Sequence, residues 1–477
     1  MEPLPMRRRL LTALLLSSCL WGHGAGATDG PYPAATLETA KALQAQALAG
    51  QGGGFGFVES LTTRVGPRLA GSAANRAAEQ WAMDQFRSLG LANIRAEEFS
   101  LDGWERGIET AMVTAPSQQP LHVTALGHSI ATPPQGVEGE IVRFATLEDL
   151  QDAADGSLKG KIAFIDTLMP RLQDGAGYGQ AVGARGKGPE AAARKGAAAL
   201  LIRSVGTDSH RFPHTGITAY AKDVGAIPAA ALSNPDADQL GRLLALGQPV
   251  RVRLTLASQP MGKLNAANVM AEIRGSELPD EVVVIGAHLD SWDLGTGAVD
   301  DGAGVGIVLA TARLLKSLPQ PPKRTVRFVL FGAEEIGLVG AKAYAAAHAA
   351  EIPNHLVGTE ADLGAGPVIS FGTRFRPEAK PMADAMLKIL APLGIVPSPT
   401  RVDGGPDMVP LAAAGMATAG LNLDATDYFD VHHTADDTLD KVDAPKLNQS
   451  TAAYASFIWL AAQSPMALGP VEKKKVE

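Results

Sequence analysis

Val282-Val283-Val284-Ile285-Gly286-Ala287-His288-Leu289-Asp290 is a continuous apolar run that ends in two polar residues. Such a run predicts a strand buried on both faces, as parallel strands are when helices cover the sheet. Helix and strand then alternate. Residues 304–315 read as a helix, 325–331 as a second strand, 337–348 as a second helix and 355–358 as a short third strand. This βαβαβ order predicts an α/β fold with a mainly parallel sheet flanked by helices. A segment at 383–390, a short strand near 417–423 and a last helix at 444–462 complete it.

Upstream, residues 36–49 read as a helix, broken by the glycines of 51–54, and Ser72 as the N-cap of a helix through Ser88, with Gly90 past its end. Between about 121 and 257 the texture changes. Short strands are predicted at 161–166, 198–202, 226–232 and 250–256, with helical stretches at 190–195 and 236–246 and a Gly-rich loop at 175–188. This block reads as a small β-rich unit inserted into the main one. Its His210 and His214 lack an acidic cluster at ligand spacing and read as surface or rim residues. The expected organisation is a leader over 1–27, the main unit over 28–120 and 261–464, the insert over 121–260 and a solvated tail over 465–477.

Arg7, Arg8 and Arg9, an apolar stretch over 10–16 and Ala25-Gly26-Ala27 have the layout of a signal peptide, which predicts export to a periplasm or the medium. Leu16-Ser17-Ser18-Cys19 also allows a lipoprotein anchored at Cys19. Cys19 is the single cysteine among 477 residues, so a chain cleaved after Ala27 has none. Disulfides, thiol catalysis and Cys-bound zinc are then excluded. No later run is long enough to span a membrane. A net charge of -8 and 5% aromatic residues argue against a nucleic-acid partner.

Polar residues gather where the predicted strands end. The first strand runs into His288-Leu289-Asp290, the next loop holds Asp300-Asp301, the second strand ends in Glu334-Glu335, the third ends near Glu360 and Asp362, and a late loop carries His432-His433. Ligands of open parallel sheets bind outside the carboxyl ends of the strands, so these segments can meet in one crevice. Histidines and carboxylates without cysteine suit a catalytic zinc site with positions left open. Two such ions bridged by a carboxylate sit ~3.5–4 Å apart, polarise a carbonyl and generate hydroxide. Asp300, in a Gly-rich loop, is the natural bridge. His288 is a candidate ligand, with Asp290 orienting its ring. Glu334 is the candidate general base and Glu335 a metal ligand. Asp362 and one of the two late histidines complete the pair. Each motif alone has an ordinary structural explanation; their ordered recurrence at successive strand ends does not.

With Gly286–Asp293 read as Gly-Ala-His-Leu-Asp-Ser-Trp-Asp, Val299-Asp300-Asp301-Gly302, Ala333-Glu334-Glu335 before Gly337, Asp362 and His432-His433-Thr434, the chain resembles the co-catalytic zinc exopeptidases of the aminopeptidase Y type, and within them the carboxypeptidase Q-like branch. Gly66-Pro67-Arg68-Leu69-Ala70-Gly71-Ser72, Arg203-Ser204-Val205 and Pro213-His214-Thr215-Gly216-Ile217 share the likeness. The resemblance implies two zinc ions per chain, one on His288 and Asp362, the other on Glu335 and the late histidine, with Asp300 bridging and Glu334 as base. It selects His433 over His432, because the ligand directly precedes Thr or Ser. It also implies a protease-associated domain as the insert, a cis peptide at Asp300–Asp301, dimerisation and a peptide substrate. The expected activity is exopeptidase hydrolysis of dipeptides or short peptides by a metal-bound hydroxide. The rivals are a same-fold amidohydrolase, a single-zinc glutaminyl cyclase-like acyltransferase and a non-catalytic receptor-like protein.

Overall fold

The computed structural model describes residues 1, 30–399 and 402–471. The expected leader, with Cys19, lies outside the described residues, Met1 apart. Among them, no helix is long and apolar enough to cross a membrane.

One eight-stranded sheet has the spatial order Ala92–Glu105, Gln259–Ile273, Arg324–Phe331, Leu278–His288, His355–Glu360, Thr418–Leu423, Val368–Arg374, Val396–Pro397. The four strands from Arg324–Phe331 to Thr418–Leu423 are mutually parallel. The neighbouring pairs on both sides are antiparallel, so the expectation of a mainly parallel sheet holds for its centre and the whole is mixed. The largest departure is the ribbon of Ala92–Glu105 on Gln259–Ile273. Along most of the first strand only alternate residues are sheltered, so it has no continuous apolar run to announce it.

The central strand follows its sequence. Val283, Ile285 and Ala287 pack with Ile307 and Val308 of the helix Ala303–Lys316 and with Tyr454 and Phe457 of the helix Ala444–Ala462. Val282 and Val284 face the other way, onto Ala341, Tyr344, Met408 and Leu411. Period-two alternation with both faces apolar is what a helix-covered sheet requires. Helix Ala303–Lys316 starts hard against the next loop: a Cβ on Gly304 would lie 1.9 Å from the Ala361 carbonyl oxygen, so only glycine lets the two segments approach this closely. Ser72 caps the helix Ala73–Ser88 by accepting from the Asn75 amide.

A second eight-stranded sheet runs Gln119–Leu121, Glu109–Ala115, Arg251–Leu256, Val137–Phe144, Ile162–Ile165, Ala199–Arg203, Ala229–Leu232, Val123–Ala125. It reaches back to Glu109, ahead of the start expected for the insert at 121. The predicted Gly-rich loop at 175–188 is instead the helix Gly177–Gly186, followed by the helix Gly188–Arg194. Burial of Ala181, Ala184 and Arg185 outweighs the low helix propensity of its glycines. His214 is also not a rim residue. Its ring is buried, with Nε2 2.6 Å from Asp208 Oδ2 and Nδ1 2.6 Å from the His432 carbonyl oxygen.

Candidate active site

The cluster forms at the carboxyl ends of the parallel strands. His288 ends its strand, Glu334 and Glu335 follow Arg324–Phe331, and Asp362 follows His355–Glu360. Asp300 comes from the loop before the helix Ala303–Lys316, and the Asp300–Asp301 peptide is cis, as the resemblance implied.

Distances tie these side chains together. His288 Nε2 lies 3.1 Å from Asp300 Oδ1 and 3.9 Å from Asp362 Oδ1. His433 Nε2 lies 2.9 Å from Glu335 Oε2 and 3.3 Å from Asp300 Oδ2. Asp300 thus stands between two groups, His288 with Asp362 and His433 with Glu335. His432 stacks on His433 at 3.5 Å and reaches Asp300 Oδ2 at 3.6 Å. The five expected ligands, His432 and Glu334 all line a cavity of about 270 Å³.

The site fits a divalent cation by its own chemistry. Asp300 Oδ2 and Glu335 Oε1 are buried without a hydrogen-bond partner, an expensive state for carboxylate oxygens. Ligand atoms of His288, Asp300 and Glu335, and likewise of Asp300, His432 and His433, come within 4.8 Å of one another. Nitrogen and oxygen donors of this kind, without sulfur, suit zinc with open positions.

Electrostatics agree. Burial pushes Glu334 and Glu335 well above the ordinary carboxyl range, and the surrounding carboxylates add to the effect. Burial, reinforced by Asp300 and Asp290, brings Asp362 up to about 6. Burial works against a charged His288, yet Asp300, Asp301 and Asp362 outweigh it and hold the imidazole well above its usual value. Without a cation, Glu334, Glu335 and Asp362 therefore hold a proton more tightly than ordinary carboxyls, while His288, against burial, lowers Asp300. Burial keeps His433 neutral by lowering it well below the usual value, and His432 and Arg185 assist.

The supporting residues were mostly silent in the sequence. Asp290 was expected to orient His288 through its carboxylate. Its backbone carbonyl takes that place, 3.0 Å from Nδ1, while the carboxylate accepts the amides of Glu334 and Glu335. Asp301 accepts from the His288 and Gly304 amides, tying strand end to helix start. Asp437 accepts from the amides of Val299 and Asp300. Arg68, fully buried, donates to the carbonyls of Leu289, Thr296 and Gly297 and ties the loop after His288 to the loop before Asp300. Trp292 Nε1 donates to Glu335 Oε2 at 2.6 Å. Asp437 stands in an acidic stretch with no spacing signal. Arg68 stands in a motif whose likeness was visible though its role was not. His348 and His355 lie around Tyr344, away from the cavity.

The model of peptidase family M28 matches residues 268–458. Carboxypeptidase Q of Bos taurus is 34% identical over 404 residues, covering 84% of each chain. The crystal structure of a peptidase M28 precursor from Shewanella amazonensis SB2B superposes with a TM-score of 0.90 at 48% identity, over 92% of this chain and 99% of that one. A zinc aminopeptidase from Bacillus subtilis shares the fold, with a TM-score of 0.62 at 21% identity over 88% of this chain and 98% of its own.

Proposed function

The chain belongs to peptidase family M28, and from that premise we propose that it is an exported metallo-exopeptidase that uses two zinc ions to hydrolyse dipeptides or short peptides. The reading is carried by one observation: a single cavity gathers His288, Asp300, Glu335, Asp362 and His433 around buried, unpaired carboxylate oxygens, with Glu334 beside them. His288 and Asp362 would hold one ion, Glu335 and His433 the other, and Asp300 both. Bound there, zinc supplies a Lewis acid and lowers the pKa of water.

The chain's own residues do the rest. Glu334 takes the proton of the attacking water on a carboxylate oxygen and delivers it to the leaving amine. Its place on the cavity wall, beside the candidate ligands, is what suits it to both steps. Asp290 fixes the turn that aims Glu334 by accepting its amide hydrogen at 3.1 Å. The Asp290 and Thr215 carbonyls accept from Nδ1–H of His288 and His433 and so leave each Nε2 facing the carboxylates. In the same reading residues 121–260 form a protease-associated domain inserted into the catalytic unit of 28–120 and 261–464, and its Tyr178 and Ile217 wall the cavity.

The test is hydrolysis of a dipeptide panel by zinc-reconstituted protein. Activity should vanish with a chelator and return with zinc. Glu334→Gln should keep its zinc and lose about 10²–10⁴-fold in kcat. Glu335→Ala and His433→Ala should lose metal as well as turnover. Full activity in Glu334→Gln would overturn the assigned base.

A further inference from the structure

The two groups on either side of Asp300 are not held alike. His288 ends a strand of the first sheet, and Asp362 follows the strand beside it. The hydrogen bonds of His288 stay within that layer, on Asp290, Asp300 and Asp301. His433 stands instead in a turn of the late loop. Its φ is +63°, a left-handed conformation that a residue with a Cβ keeps only where its surroundings impose it.

The imposing contacts come from the second sheet's layer. The carbonyl oxygens of Phe429, His432 and His433 accept from the Thr207 amide at 3.0 Å, His214 Nδ1 at 2.6 Å and the Thr215 amide at 3.1 Å. Asp430 accepts from the Thr207 hydroxyl and from Arg171. Residues 207–215 follow the strand Ala199–Arg203 of that sheet, and Arg171 follows Ile162–Ile165. The shortest of the three carbonyl contacts is that of His214. A carbonyl oxygen only accepts, so Nδ1 carries the proton of that bond. At the far side of the ring, Nε2 lies 2.6 Å from Asp208 Oδ2. Asp208 is itself fixed by the His210 amide at 2.8 Å and by Asn234 Nδ2 at 3.2 Å. The ring is wholly buried, and Gly206 makes room for it: a Cβ there would lie 2.2 Å from His214 Cε1. A ring so enclosed keeps one orientation and sets the place of the carbonyl it holds. The next residue is His433, with Nδ1 on the Thr215 carbonyl and Nε2 facing Glu335 and Asp300.

We propose that His214, locked by Asp208, is a positioning residue for the ion on Glu335 and His433, so that the second layer is a working part of one metal position and not of the other. The inference rests on the two-zinc reading above and adds which ion the second layer governs.

The test is calorimetric titration of zinc into the full chain after metal removal, which yields a dissociation constant for each ion. The wild type should bind two. His214→Ala should weaken one of them about 10–100-fold and leave the other unchanged. His433→Ala should lose that same ion. His214→Ala added to His433→Ala should then leave the remaining ion as tight as in His433→Ala alone, which a general loosening of the fold would not do. Leu240→Ala, a cavity in the apolar core of the second layer, should lower the urea midpoint without this selective loss. If His214→Ala does not fold, Gly206→Ala, which drives a methyl group against the ring, takes its place in the same comparisons. Equal weakening of both ions, the same selective loss in Leu240→Ala, or further weakening in the double variant overturns the inference. Two ions bound as tightly as in the wild type also overturn it, and leave the two-zinc reading intact. A wild type that binds fewer than two zinc ions overturns that reading and the inference together.

Discussion

Asp300 is where the site's chemistry converges. Its side chain meets His288 and His433, and its backbone amide is held by Asp437, which burial beside Asp300 pushes up to about 7. Asp362, brought up to about 6, must be ionised to bind a cation, so zinc affinity should fall as pH drops through that value. The metal-free fold runs the other way. A folded pKa raised above 3.8 adds stability below that pH and loses it as pH rises through about 6, and Asp437 carries the decline toward 7. Zinc should therefore raise the melting temperature far more at pH 8 than at pH 5. Thermal melts with and without zinc measure this, and an equal shift at both pH values would contradict it. At this scale the candidate site was legible because His288, Glu334, Glu335 and Asp362 stand at or just past strand ends and Asp300 lies in the Gly-rich loop before a helix. Asp437 and Arg68 were not, because they act on backbone groups more than a hundred residues away in sequence, which no local pattern encodes.

The elements place these groups through close backbone approach. Helix Ala303–Lys316 can begin beside Ala361 because Gly304 has no Cβ. Gly304→Ala should cost about 1–3 kcal/mol through forced displacement, read as a lower urea midpoint, and should loosen zinc because Asp301 and Ala361 flank the candidate ligands Asp300 and Asp362. An unchanged midpoint and zinc affinity would show that the contact relaxes freely. The buried parallel strands were readable because both faces are apolar. The helix Gly177–Gly186 was not, because tertiary burial sets it against local preference. The outer ribbon was missed for a different reason: Ala92–Glu105 shelters only alternate residues along most of its length.

Across the whole molecule, the second sheet's layer and its link to the first sheet meet the loops around the cavity at several points. Arg106, in the link between the two sheets, donates to both oxygens of Asp293, Trp104 at the end of the first sheet's outer strand meets Trp292 edge-on at 6.4 Å, and His214 of the second layer reaches the His432 carbonyl. Trp292 in turn holds Glu335, so the seat of one layer bears on a candidate metal ligand in the other. Arg106→Ala strands the Asp293 carboxylate and should cost about 3 kcal/mol by chemical denaturation, with weaker zinc binding as a consequence. Loss of stability with unaltered zinc affinity would uncouple the two layers. The account stands or falls on the paired metal site. An anomalous difference map at the zinc edge, from crystals of zinc-reconstituted protein, should show two peaks of similar height on either side of Asp300, one by His288 and Asp362 and one by Glu335 and His433. A map with one peak, or with none among these residues, would contradict it.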